Sequence, residues 1–225
     1  MLLIPLWDVD LDKAYELQRS FPPEENGFVN AAYGMTREEF AQYVEMQKGY
    51  SQGRGLPEGY VPCTVYVLVD DQNNYVGLFS LRHCLNDALR QGAGHIGYGI
   101  RSEYRGRGYA SAGLRLLLRE AWKIVPEEEI YLSVHKDNPA SLQVQKNNGA
   151  TIHHEDAQQY YTASGGETGY FPLLHRLLFS PLSCIIKRIV RRFYGNAMEC
   201  HNGDCNSKPY TTELWRGNHP AGYLL

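Results

Sequence analysis

The sequence has no surplus of one charge, no cysteine framework and no long apolar run, and each absence excludes a class of protein. Its 22 basic and 25 acidic residues give a net charge of −3, so nothing global indicates a nucleic-acid-binding chain. Its five cysteines are an odd number without framework spacing, unlike those of a small disulfide-stapled domain. No apolar run approaches the roughly eighteen residues of a membrane span. The first residues also lack the basic region and apolar length of a signal peptide, so we expect a reducing, cytoplasmic setting and no membrane insertion.

The composition is that of a globular protein, with 43% hydrophobic and 21% charged residues. The charge is unevenly distributed along the chain. Residues 1–163 hold 15 basic and 21 acidic residues, a net of −6, whereas residues 164–225 hold 7 and 4, a net of +3. We therefore expect one domain over 1–163 and a basic C-terminal tail over 164–225.

The first part of the chain predicts two short helices and a hairpin. Apolar residues recur at helical spacing over 10–20, and Thr36 to Phe40 (TREEF) has the form of a capping box that opens a second helix. Between them, PPEENGFVN is predicted to be a loop. Two apolar runs, 64–69 and 75–81, are separated by DDQNN and predict an antiparallel hairpin.

The middle of the chain predicts alternating strands and helices. Strand 95–100 is followed by a helix from Ala110, whose leucine stripe ends before Pro126, and then by strand 129–135. A second helix is predicted over 137–150, and TIHHEDAQQYYT predicts a further strand over 151–162. Because a strand–helix–strand unit is a right-handed crossover, strands 95–100 and 130–135 are expected to be parallel. The fold class is therefore α+β, with a mixed, mostly antiparallel sheet flanked by helices.

The most informative stretch is Arg105-Gly106-Arg107-Gly108, which lies between a predicted strand and a predicted helix. The first N–H groups of a helix have no internal partners, and the helix dipole adds partial positive charge there. Glycine lets the backbone approach a bulky anion, and arginine adds formal charge. The stretch is neither a P-loop nor a dinucleotide fingerprint, since the required strings are absent. The alternative is a surface turn that needs glycines and carries arginines for solubility.

The context of this stretch resembles the GNAT superfamily of N-acetyltransferases. Residues 105–110 read Arg-x-x-Gly-x-Ala after a strand, and a second strand leads into Asn138-Pro139-Ala140-Ser141 and a helix that ends at Asn148-Gly149. The resemblance covers about residues 60–152 and implies a splayed pair of parallel strands. It also implies that acetyl-CoA is the co-substrate, with no metal, and that the acceptor is a small-molecule or protein amine. We expect a monomer or a homodimer.

The resemblance also implies roles for particular residues. The backbone amides expected to hold the pyrophosphate are those of Arg105, Gly106, Arg107, Gly108, Tyr109 and Ala110. The pantetheine arm would pair with backbone groups of Tyr98, Gly99 and Ile100. Asn138 and Ser141, where the second strand gives way to a helix, would lie beside the pantetheine or acetyl end.

Two departures from the family leave its usual proton carriers missing. Where many relatives have a tyrosine that protonates the leaving thiolate, this chain has Gln145, and the strand before the loop carries no glutamate. Tyr98 and His135 are therefore the candidate catalytic residues, with structural hydrogen bonding as the alternative for each and proton removal through ordered water as a further route. Two other groups are candidates to line an acceptor pocket, with turn capping as the alternative: His83, Asn86 and Asp87, and Glu24, Glu25 and Asn26.

The tail departs from the family pattern after Thr162. Residues 183–194 place isoleucines, a valine and a phenylalanine opposite four basic residues, which predicts a basic amphipathic helix. Such a helix lies on an anionic membrane or packs on its own domain; a shifted reading frame or a fusion scar is a third interpretation. Cys200, His201 and Cys205 match no tetrahedral spacing, so we predict no metal site.

The sequence as a whole predicts an acetyl-CoA-dependent N-acetyltransferase that acts by direct attack of an amine in a ternary complex. Two alternatives belong to other classes. The first is a non-catalytic acyl-CoA-binding or interaction module, suggested by Gln145 and the missing carboxylate. The second is a membrane-surface adaptor that works through the 183–194 helix.

Overall fold

The computed structural model describes residues 1–165. The predictions for the tail, including its amphipathic helix and the residues Cys200, His201 and Cys205, lie outside the described residues. The strands of the described part are β1 (Leu2–Pro5), β2 (Glu24–Glu25), β3 (Phe28–Val29), β4 (Cys63–Val69), β5 (Tyr75–Arg82), β6 (Ile96–Ile100), β7 (Glu129–His135), β8 (Thr151–Glu155) and β9 (Gln159–Gly165). The helices are α1 (Leu11–Arg19), α2 (Arg37–Ser51), α3 (Asp87–Arg90), α4 (Tyr109–Ile124) and α5 (Pro139–Asn147).

The helices begin where the sequence supplies caps. The Asp10 carboxylate accepts from the Lys13 backbone N–H at 2.9 Å and opens α1. The predicted capping box at α2 is confirmed: Thr36 accepts from the Glu39 backbone N–H, and the Glu39 carboxylate accepts from the Thr36 backbone N–H. The predicted helices over 10–20, from Ala110 and within 137–150 are also confirmed.

The first sheet has the order β1-β4-β5-β6, and each adjacent pair is antiparallel. It contains the predicted hairpin, as β4 and β5, and the predicted strand 95–100, as β6. Side chains on one face pack with α1 and α2, and those on the other pack with α4. This sheet therefore lies in the middle of the domain, with a core on each side.

The second sheet has the order β7-β9-β8 and corrects one prediction. The single strand expected over 151–162 is two strands, because the backbone turns at Asp156, whose carboxylate accepts from the N–H groups of Gln158 and Gln159. β9 pairs with β7 on one side and with β8 on the other. It thus supplies a neighbour for both strands, and it extends two residues past residue 163, the predicted end of the domain.

The fold is mixed α+β with antiparallel sheets flanked by helices, as predicted, but the parallel strand pair is not confirmed. β6 and β7 belong to different sheets, and they meet at a bridge between Gly94 and Leu132 and at a 2.7 Å hydrogen bond from the His95 N–H to the Tyr131 carbonyl. Beyond that point, no hydrogen-bonded ladder joins them in residues 1–165. The two strands therefore border a gap that opens toward Ile100 and His135.

Within residues 1–165, no helix has both the length and the apolar character needed to cross a membrane.

Candidate active site

The glycines of the 105–108 loop adopt a backbone conformation that other residues rarely take. Gly106 has φ +73° and Gly108 has φ +82°, both in the left-handed region. A Cβ built on either residue meets nothing within 4 Å. Glycine is therefore required here by backbone conformation, while the surface above the loop has room for a bulky group.

The loop leads into a helix end that has no side-chain cap. Gly108 is the N-cap of α4 and provides no side chain, and the Ala112 N–H makes the first intrahelical bond, 3.0 Å from the Gly108 carbonyl oxygen. The N–H groups of residues 109–111 accordingly have no partner within the helix, and the positive end of the helix dipole lies at the same place. This arrangement suits a phosphate or diphosphate.

The two arginines of the loop point in different directions. The Arg105 Nε donates to the Ile100 carbonyl at 2.8 Å, its Nη1 donates to Glu25 Oε1 at 2.9 Å, and its Nη2 pairs with the other Glu25 oxygen. These bonds hold the pKa of Glu25 below its usual value. Arg107 lies on the exposed side of the loop, with its guanidinium 5.8 Å from the Tyr104 ring centre. Arg105 is therefore directed at a carboxylate rather than along the anion-binding surface.

β6 presents one edge to the gap. The Arg82 N–H donates to the His95 carbonyl and the Arg101 N–H to the Val76 carbonyl, so the antiparallel pattern also directs the backbone groups of Gly97 and Gly99 toward β5. The backbone groups of Tyr98 and Ile100 consequently face the gap. Of the three residues predicted to pair with an extended ligand, Gly99 is the exception, because its backbone groups bond to β5 and not toward the gap.

Tyr98 lies on the α5 side of the sheet. Its hydroxyl is 2.7 Å from the Ser141 hydroxyl and 3.2 Å from the Ser141 carbonyl oxygen, and its ring stacks on Phe79. Burial raises the pKa of Tyr98 to about 12. At neutral pH, the phenol is therefore protonated and can donate a hydrogen bond.

The beginning of α5 is fixed by hydrogen bonds between its own residues and the strands. The Asn138 side-chain oxygen accepts from the Ser141 N–H at 3.0 Å, so Asn138 caps α5 as its place in the motif predicts. Gln145 is buried; its side-chain oxygen accepts from the Thr162 hydroxyl at 2.7 Å, and its nitrogen donates to the Ser133 carbonyl at 3.4 Å. The amide at this position thus joins α5 to β7 and β9.

His135 lies at the open end of β7. Its side chain lies on the side of the gap where the β2–β3 hairpin packs, whereas the Tyr98 side chain lies on the α5 side. A Cβ added to Gly27 would lie 3.2 Å from its Cδ2 and Nε2 atoms, so the β2–β3 turn packs directly on the imidazole. Its Nε2 is also 3.4 Å from the Gln159 side-chain nitrogen. The structure therefore does not bring the two candidate catalytic residues together. His135 lies beside the β2–β3 turn, whereas Tyr98 lies beside α5.

The other polar residues considered for an acceptor pocket separate into two groups. His83 contacts the Thr64 hydroxyl at 2.9 Å, and Asn86 caps α3, so these residues stabilise the segment before β6. Glu25 and Asn26, by contrast, lie in the β2–β3 hairpin beside the gap. In the described part of the chain, no three His, Cys, Asp or Glu side chains are grouped closely enough to hold a metal ion.

The hairpin itself was missed at the sequence level. Asn26 and Gly27 both have positive φ, +53° and +83°, which is the geometry of a type I′ hairpin turn. The Asn-Gly dipeptide is a strong signal for such a turn. The flanking strands are two residues each, too short to show an alternating strand pattern in the sequence.

Comparison with known families and structures agrees with this geometry. A sequence profile described as an acetyltransferase (GNAT) domain matches residues 2–151, which is more than half of the chain. No curated protein matches the sequence.

Solved structures of similar fold include a putative GNAT-family acetyltransferase from Bordetella pertussis, with a TM-score of 0.53 and 15% identity over 72% of this chain and 94% of that one. The ribosomal L7/L12 alpha-N-protein acetyltransferase RimL in complex with coenzyme A has a TM-score of 0.51 and 18% identity, over 72% and 92%. A spermidine N-acetyltransferase chimera from Vibrio cholerae and hSSAT has a TM-score of 0.50 and 18% identity, over 73% and 96%. At such identities the likeness is one of fold, and it is the profile match that assigns this chain to the GNAT acetyltransferase family.

Proposed function

We propose that this protein is an acetyl-CoA-dependent N-acetyltransferase that transfers an acetyl group to a primary amine by direct attack in a ternary complex. The observation that carries the proposal lies within residues 1–165: the N-terminus of α4 has no side-chain cap, and its open glycine loop lies beside an edge of β6 that pairs with no further strand. The co-substrate would supply the acyl thioester. The proposal names no narrower acceptor class, because solved structures of this fold include a spermidine N-acetyltransferase chimera and a ribosomal-protein N-acetyltransferase.

The chain's own residues fit this co-substrate. Backbone N–H groups from Gly106 to Ala110 would hold the pyrophosphate, and the open room at Gly106 and Gly108 admits it. The Arg105 N–H, which the resemblance also implies for this role, instead donates to the Ser102 carbonyl at 3.3 Å. The backbone N–H and carbonyl of Tyr98 and the N–H of Ile100 would pair with the pantetheine arm as an added strand does, while the Ile100 carbonyl already accepts from Arg105. Asn138 and Ser141 would border its reactive end through the beginning of α5.

We propose that proton transfer from the amine takes place on the side of the gap where His135 lies, opposite Tyr98. The amine must lose a proton to attack, and His135, at the open end of the gap, would take that proton directly or through a water. Tyr98 would orient groups by hydrogen bonding, since a pKa of about 12 keeps its phenol protonated at neutral pH. No side chain is assigned as the acid for the leaving thiolate.

The test is a thermal melt with and without acetyl-CoA on the wild type, Gly108→Glu and Gly149→Glu. Both glycines have φ +82° and open space at Cβ, so the two variants carry the same backbone strain. Ligand at about a hundred times its Kd should stabilise the wild type and the Gly149 variant by roughly 2.7 kcal/mol. The Gly108 variant should show no shift. Equal shifts in all three proteins would mean that acetyl-CoA does not use the α4 N-terminus.

A second function, non-catalytic acyl-CoA binding, is favoured by one observation. The amide at Gln145 is buried and bonded to Thr162, so this position offers no ionisable proton donor. Radiolabelled acetyl-CoA incubated with a panel of polyamines, amino sugars and peptides separates the two functions. Labelled product from any of them establishes the enzyme, whereas saturable acetyl-CoA binding without product establishes the binding module.

A further inference from the structure

The tip of the β2–β3 hairpin, residues 25–28, touches the ends of both strands that border the gap. On the β6 side, a Cβ added to Gly99 would lie 3.0 Å from Phe28 Cε2, so the phenyl ring rests on the strand. On the β7 side, a Cβ added to Gly27 would lie 3.2 Å from the His135 imidazole, so the turn packs against that ring. The tip therefore spans the gap on the face where His135 lies.

This hairpin has few hydrogen bonds of its own to hold it there. Its ladder consists of two residue pairs, Glu24 with Val29 and Glu25 with Phe28. A two-stranded hairpin is marginal in water even when it is longer. The position of the tip therefore depends on its contacts with the rest of the domain.

The strongest polar contact of the tip is with the proposed phosphate loop. The Glu25 carboxylate takes two hydrogen bonds from Arg105, and Arg105 is itself anchored to the last carbonyl of β6. Paired bonds between arginine and a carboxylate fix orientation as well as distance. The side chains remain 44% and 33% exposed, for Arg105 and Glu25 respectively, so solvent weakens the pair without abolishing it.

We propose that Glu25 is a positioning residue for the acceptor amine. Through Arg105 it holds the 25–28 tip across the open ends of β6 and β7, so that ordering of the 105–108 loop is transmitted to the wall facing His135. This inference rests on the proposed function, because acetyl-CoA is the ligand expected to order the loop. It adds that co-substrate binding prepares the acceptor side of the site through one ion pair.

The first test measures amide hydrogen exchange in the full chain with and without acetyl-CoA. In the wild type, exchange at residues 26–30 should slow about fivefold when acetyl-CoA binds, in step with residues 105–110. Glu25→Gln should lose the effect at 26–30 and keep it at 105–110. Glu24→Gln, one residue away on the same hairpin, is the matched control and should behave as the wild type, and Glu25→Asp should restore part of the effect.

The second readout separates positioning from a purely structural role. With the best amine of the acceptor panel, Glu25→Gln should raise the acceptor KM about fivefold and leave the acetyl-CoA Kd and kcat within twofold. The inference is overturned if Glu25→Gln and Glu24→Gln give the same exchange, or if the acetyl-CoA Kd rises together with the acceptor KM.

The same exchange data separate failure of this inference from failure of the proposed function. Slower exchange at 105–110 without any change at 26–30 contradicts the inference alone. No change at either place, in a protein that also shows no thermal shift with acetyl-CoA, contradicts both.

Discussion

The two sheets of the molecule differ in what covers them. β5, in the first sheet, is buried along its whole length between helices on both faces, whereas all five residues of β8, in the second sheet, are exposed. α5 covers one face of the second sheet; no helix of residues 1–165 covers the other, where the hairpin tip and His135 meet. We infer that the first sheet supplies most of the stability and the second supplies surface for the acceptor side.

The packing around Phe79 shows how the first sheet achieves this stability. Its ring is fully buried and stacks on Tyr98 at 5.5 Å. A Cβ on Gly113 of α4 would lie 2.3 Å from its Cζ, so helix and sheet approach closely because that residue is glycine. In the second sheet the comparable ring is only half-buried: Tyr161 stacks on the exposed His154 at 4.3 Å.

The largest expected effect tests this contrast directly. Phe79→Ala should lower the free energy of unfolding by about 4 kcal/mol, through lost burial and the cavity left behind. Tyr161→Ala should lower it by about 1 kcal/mol, because its neighbours can rearrange in solvent. Urea unfolding of both variants measures the two losses in the free energy of unfolding. Equal losses would contradict the inference that the first sheet supplies most of the stability.

The next effect concerns activity and belongs to the second sheet. Once an acceptor amine has been identified, His135→Gln should lower kcat about a hundredfold, because the proposed general base is removed. The acetyl-CoA Kd and the free energy of unfolding should change little. His154→Gln, exposed on the same sheet, is the control for steady-state kinetics. A fall in kcat of less than threefold would mean that the amine loses its proton through water instead.

The smallest effect is a pH dependence that originates at the end of the first sheet. Burial lowers the pKa of His83 to about 4, against about 6.5 in the unfolded chain, so the unfolded chain binds this proton first. Stability should therefore fall as the pH drops from about 6.5 to about 4, by roughly 2 kcal/mol after allowance for partial exposure of the ring. In urea unfolding across this range, His83→Gln should flatten the profile. An unchanged profile in His83→Gln would show that another group carries the dependence.

Local features of the fold and site could be predicted from the sequence. The capping box at Thr36 and the stripe along α4 depend on neighbouring residues, so sequence spacing reports them directly. The glycine loop belongs to the same class, since Gly106 and Gly108 take the left-handed backbone that their residue type permits.

Features that depend on distant partners could not be predicted. Arg105 points at Glu25, which lies 80 residues away, and no spacing rule reports that pairing. β1 pairs with β4 across about sixty residues, which gives its short apolar run no local signal. β8 has a bulge at His153 that breaks the alternation of its side chains, and the turn at Asp156 contains neither glycine nor proline. The sequence of β8 and β9 therefore has the pattern of a single strand.

The position of β9 between β7 and β8 also orders events during synthesis. Both of these strands are made before β9, and within residues 1–165 each has its ladder with β9. Until the ribosome has passed residue 165, they emerge as unpaired strands whose free edges can pair with other chains. A transcript cut short after β8 should therefore yield an aggregating product, even though it encodes the α4 N-terminus and its loop intact.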